Sequence, residues 1–97
     1  MEKVTGIIKG EGIVITTLEK ETIGSRVKKI RISKNITIRE LCKLTEIEEV
    51  LLSTYESGLI DPNIREIAKI SIALDVTSDY ILGRIDKKAN DLIMLNR

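Results

Sequence analysis

The stretch TIRELCKLTEIEEVLLSTYESG, Thr37 to Gly58, decides how the chain folds. It reads as two short helices joined by a tight turn, the first of about eight residues and the second of about nine. Thr37 followed three residues later by Glu40 is a capping-box pattern, in which each side chain satisfies a backbone N–H that the first turn leaves open. A helix therefore starts at Thr37. Ile38, Leu41 and Cys42 recur at the spacing of an apolar helix face, as do Val50, Leu51 and Thr54 further on. Gly58 stands where a helix C-terminus takes a residue at positive φ. Two short helices meeting steeply make a helix-turn-helix.

The rest of the chain bounds what such a motif serves. At 97 residues it is one domain, with at most a small appendage. Apolar residues make up 42%, enough for a core, and aliphatics carry it, since Tyr55 and Tyr80 are the sole aromatics. No apolar run approaches the ~18–20 residues of a membrane span, and the N-terminus lacks a signal-peptide pattern. A cytoplasmic protein with no membrane contact is expected. The single Cys42 has no partner for an internal disulfide and is expected to be a small core residue.

Missing residue types narrow the chemistry. With no histidine and one cysteine, common zinc sites and histidine-based acid–base catalysis are out of reach. No phosphate-binding glycine pattern is present, and the short KGEG at Lys9–Gly12 reads as a turn. Two aromatics make a poor stacking platform for single-stranded nucleic acid. The expectation is a protein without a cofactor, and not an enzyme.

Residues 1–22 differ in character. Val4, Ile7, Ile8, Ile13, Val14 and Ile15 are β-branched, with a Gly10-Glu11-Gly12 turn signal between the runs, and they read as a β-hairpin or arm. An isolated hairpin is marginal in water, so it is expected to pack on the body or pair with a second copy; a flexible tail is the plainer alternative. From Ile23 the pattern is helical. Ile23, Val27 and Ile30 face inward on a first helix that Asn35 ends. Beyond Gly58, Asn63 with Glu66 offers another capping box. The helix it starts is expected to bury Ile64, Ile67, Ala68, Ile70 and Ile72. A short helix from Ser78 to Leu82 stops at Gly83. Residues 87–97 form a tail with helical spacing, suited to docking or dimerisation unless it frays.

Residues 23–86 together resemble the lambda-repressor-like (Cro/Xre-type) helix-turn-helix family. IGSRVKKIR is similar to its opening helix, TIRELCKLTEI to its second and STYESG to the end of its recognition helix. DPNIREIAKISIALDV is similar to its fourth helix, and TSDYILGRID, the most specific piece, to its closing one. The resemblance implies a mainly α, five-helix domain that binds double-stranded operator DNA, usually as a two-fold homodimer reading half-sites ~34 Å apart. It also implies a structural ion pair between Arg31 and Glu56.

The positions aligned with DNA-reading ones depart from the family pattern. The start of the second helix carries Ile38 where glutamine is usual, and the turn carries Glu46 where glycine is usual. With Glu48, Glu49, Leu51 and Leu52, Ile38 completes the base-facing candidates. No Arg, Lys, Asn or Gln, the better base readers, occurs between Ile47 and Tyr55. Residues 40–66 hold seven acidic groups against Lys43 and Arg65, and each phosphate contact needs a positive group. Glu48 and Glu49 also suit the first turn of a helix, and Thr45 with Glu48 would make a further capping box. Capping and solubility, a partner-binding face and base reading all remain open for these acids. The phosphate candidates are Arg26, Lys28, Lys29, Lys34, Thr37, Arg39 and Asn63, with the second helix's N-terminus adding N–H donors. Two functions are carried forward. One is a repressor-type DNA-binding transcriptional regulator. The other is a helix-turn-helix scaffold that binds a protein partner through an acidic, leucine-bearing recognition helix.

Overall fold

Side-chain caps start five of the six helices found among the described residues, 21–96 of a computed structural model. In chain order these are α1 (Ile23–Ser33), α2 (Ile38–Thr45), α3 (Glu49–Ser57), α4 (Ile64–Leu74), α5 (Ser78–Ile81) and α6 (Lys87–Leu95). Thr22, Thr37 and Asn63 form reciprocal capping boxes with Ser25, Glu40 and Glu66. Thr77 and Asp86 cap α5 and α6. The hairpin expected over 1–22 lies outside the described residues, apart from Glu21 and Thr22. No strand occurs among the described residues, and no helix there is long and apolar enough to cross a membrane.

Val27 and Ile30 of α1, Leu41 of α2, Leu52 and Tyr55 of α3, Ile67, Ile70 and Leu74 of α4 and Ile81 of α5 form one core, joined by Ile47 and Val76 from the connections. Within α4 the inward residues are Ile67, Ile70, Ser71 and Leu74, an i, i+3, i+4, i+7 set. The expected burial of Ile64, Ala68 and Ile72 is therefore corrected: Ile64 is 83% exposed and Ile72 79%, and Ala68 is exposed too. All three lie on the flank of that set. Cys42 is half-buried against the core, and its burial pushes the thiol pKa up, away from the reactive thiolate.

Two contacts fix how α3 sits. A Cβ added to Gly24 would lie 1.5 Å from the Tyr55 carbonyl oxygen, so the backbones of α1 and α3 approach as closely as only glycine permits. Arg31 of α1 meets Glu56 of α3 in a two-pronged pair. Arg31 Nε donates to Glu56 Oε2 at 2.7 Å and Nη2 to Oε1 at 2.9 Å, while Nη1 donates to the Ile36 carbonyl at 2.9 Å. The two side chains are only 12% and 5% exposed. The hydrogen bond that Arg31 donates to Glu56 raises the Arg31 pKa, with burial opposing it.

The tail residues 87–95 are a docked helix. Asn90 of α6 is buried, and its Oδ1 accepts from both the backbone N–H and the hydroxyl of Thr77, each at 2.8 Å. A polar core side chain thus fastens α6 to the start of α5, and it is fully paired at that oxygen.

Candidate nucleic-acid interface

The turn between α2 and α3 is three residues long, Glu46-Ile47-Glu48. Glu46 takes the left-handed conformation at φ 63°, and its N–H donates to the Cys42 carbonyl at 2.7 Å. Glycine would adopt that φ without a Cβ penalty, so glutamate here carries some backbone strain. Ile47 plugs the turn into the core. The cap expected from Thr45 with Glu48 is corrected. Thr45 is still inside α2, where its hydroxyl donates to the Leu41 carbonyl at 2.7 Å. Glu48 is itself the N-cap of α3 and makes no side-chain capping bond.

The phase of α3 follows from what it buries. Leu52, Tyr55 and Glu56 point inward, so Glu49, Val50, Ser53 and Ser57 point out. With Thr54 and Leu59 they line a shallow depression of about 420 Å³ along the helix. One base-facing candidate, Leu52, is corrected by this phase, while Leu51 and, on α2, Ile38 are partly covered. Leu52 is 0% exposed and belongs to the core; Leu51 and Ile38 are half-buried and pack against it. Glu49 is outward, and Glu48 is exposed at the helix mouth. Val50 was expected on the apolar face, yet it is 78% exposed. Ser53 and Ser57 are outward too, although neither is among the base-facing candidates. Taking Tyr55 and Glu56 as inward would have found all three by helical spacing alone.

The phosphate candidates separate in the same way. Arg26 is corrected: its Nε donates to the Ile81 carbonyl at 2.7 Å, its Nη2 to the Leu82 carbonyl at 3.0 Å and its Nη1 to Glu21 at 3.3 Å. That guanidinium is consumed in closing the end of α5. Lys28 and Lys29 are exposed on α1, Lys29 within 3.3 Å of Glu21, and Lys34 is exposed at its C-terminal end. Thr37 caps α2 at its exposed N-terminus. Arg39, the second residue of α2, is exposed and reaches Glu49 of α3 at 3.7 Å. Asn63 is exposed; its Oδ1 accepts from Glu66 N at 2.8 Å, and its side-chain NH₂ makes no hydrogen bond among the described residues.

Behind this surface, α3 is tied to α4. The Tyr55 hydroxyl donates to Glu66 Oε1 at 2.5 Å, and the same oxygen accepts from Asn63 N at 3.0 Å. Burial, then the bond to Glu66, raises the Tyr55 pKa to about 12.

Comparison with known proteins agrees with this geometry. The pattern of the helix-turn-helix family matches residues 27–81. The chain belongs to the lambda-repressor-like (Cro/Xre-type) helix-turn-helix family. It is 31% identical over 77 residues to the HTH-type transcriptional regulator ImmR of Bacillus subtilis (strain 168), a match covering 78% of this chain and 61% of that protein. The chain therefore spans about three-fifths of that relative. The P22 c2 repressor, solved in complex with the synthetic operator 9T, superposes with a TM-score of 0.62 at 26% identity, covering 68% of this chain and all of that one. The N-terminal DNA-binding domain of SinR from Bacillus subtilis superposes with a TM-score of 0.59 at 30% identity, covering 67% of this chain and 93% of that domain.

Proposed function

We propose that this protein is a repressor-type DNA-binding transcriptional regulator that inserts α3 into the major groove of an operator. It acts in the cytoplasm, without a cofactor or catalysis, as a homodimer on two half-sites about one helical turn, ~34 Å, apart. One observation carries the reading: the N-terminal half of α3 projects an exposed, largely unbonded face beside the exposed N-terminus of α2. That pairing lets one helix reach bases while the other meets the phosphate strand. Thr37, Arg39 and the backbone N–H groups of Ile38 and Arg39, which the Thr37–Glu40 capping box leaves open, are the phosphate contacts, with Lys28, Lys29, Lys34 and the Asn63 amide beside them.

The protein-binding alternative needed leucines on the recognition face. Of the two leucines that reading named, Leu52 is sealed in the core and Leu51 is half-buried against it. Selection of bound duplexes from a random library at low salt, followed by salt titration, tests the proposal. A two-fold-symmetric motif whose affinity falls steeply with salt supports it. Failure of folded, helical protein to enrich any duplex overturns it.

A further inference from the structure

This inference rests on the DNA-binding reading above and concerns what α3 reads. Its outward face is rich in acceptors and poor in donors. Glu49 supplies a carboxylate, which when ionised only accepts. The Thr54 hydroxyl donates to the Val50 carbonyl at 2.8 Å, and the Ser57 hydroxyl to the Thr54 carbonyl at 2.7 Å, so both protons are spent on the helix backbone. Ser53 alone keeps a hydroxyl with no hydrogen bond among the described residues. Between these polar groups Val50 projects a nearly bare isopropyl group.

Base edges in the major groove differ in what they ask for. Guanine presents two acceptors, cytosine an N4 amino donor, adenine one of each, and thymine an acceptor beside its C5 methyl group. A face short of donors has no two-pronged grip for guanine, whereas it suits an amino group and a methyl. Glu49 and Val50 are the first two residues of α3, the part of a recognition helix that meets base edges. We infer that Glu49 accepts a hydrogen bond from the N4 amino group of a cytosine while Val50 packs on the C5 methyl of a thymine at a neighbouring base pair. Together they define the half-site.

Arg39 makes an acid at this position workable. Its guanidinium stands 3.7 Å from the Glu49 carboxylate, offsetting the negative charge that would otherwise face the phosphates. Both groups are solvated, so the pair yields readily: Arg39 turns to a phosphate and Glu49 to the base.

The full chain and the duplexes enriched from a random library provide the test. Each thymine of the enriched site is replaced in turn by deoxyuridine, which lacks only the C5 methyl. The expected result is one position per half-site where this weakens binding about fourfold, the value of one methyl-sized group removed from water. Val50→Ala abolishes that sensitivity. Glu49→Gln, whose amide suits adenine, moves the preferred base at one position from cytosine to adenine. A methyl effect that persists in Val50→Ala, an unchanged base preference in Glu49→Gln, or an enriched site with no methyl-sensitive thymine overturns the assignment while DNA binding stands. Absence of any enrichment overturns both readings together.

Discussion

On the inward face of α3 every polar group is engaged: Glu56 holds Arg31 at 2.7 Å, and the Tyr55 hydroxyl holds Glu66 at 2.5 Å, around a leucine that no water reaches. On the outward face Glu49 has one loose ionic neighbour at 3.7 Å, and Val50 and Ser53 touch mostly solvent. One short helix thus carries two sets of residues under different physical constraints. The inward set must match α1 and α4 to within fractions of an ångström, because a buried charge or hydroxyl without its partner is costly. The outward set is held only by the solvated Arg39–Glu49 pair, so its composition is free to follow a ligand.

The largest test of that contrast is Arg31→Met, which strands the Glu56 carboxylate inside the protein. A loss of about 3–5 kcal/mol is expected in denaturant unfolding. A loss below ~1 kcal/mol would mean water already reaches the pair. Next comes Gly24→Ala, whose methyl group must push α1 off the Tyr55 carbonyl; about 3 kcal/mol is expected by the same measurement.

A pH effect follows for Tyr55. Its folded pKa of about 12 lies above the ordinary value of 10, so the stabilisation it brings is whole below pH 10. It drains away as the pH climbs towards 12, where the folded form also ionises. Thermal unfolding followed through alkaline pH should show this decline. Tyr55→Phe should lack it, at a cost of about 1 kcal/mol near neutrality. The smallest effect belongs to the outward face. Ser53→Ala should change stability by no more than ~0.5 kcal/mol, read from the shift of the unfolding midpoint. A larger loss would show that this face also serves the fold.

How far the sequence alone reaches follows the same division. The capping boxes at Thr37 and Asn63 were readable because cap and partner lie three residues apart. Gly58 was readable because backbone geometry at a helix end depends on few neighbours. Helix phase was harder. In α4, Ile64 and Ile72 match the apolar composition of a core, but only the packing of α1 and α2 decides which side of an isoleucine-rich helix is covered. Val50 is one of three consecutive aliphatics, among which spacing chooses only once Tyr55 and Glu56 are taken as the inward residues. Arg26 was out of reach, since its carbonyl partners lie 55 and 56 residues away and carry no side-chain signature. Asn90 was equally hidden, a polar residue whose burial makes sense only once Thr77 stands beside it. Of the interface, the acids at the mouth of α3 and Arg39 on α2 were visible from local order. Which residues between them face out was not.

The Arg26 clasp has a kinetic consequence. It joins the first helix of the family core to the end of the fifth, so nearly the whole intervening chain must be in place before its hydrogen bonds can form. Ordering so long a loop early is entropically unfavourable, and the clasp is therefore expected to close after the folding barrier has been crossed. Arg26→Met should then leave the refolding rate almost unchanged in stopped-flow experiments and accelerate unfolding instead. The arginine acts as a latch on the folded state, setting how long the protein stays closed rather than how fast it gets there.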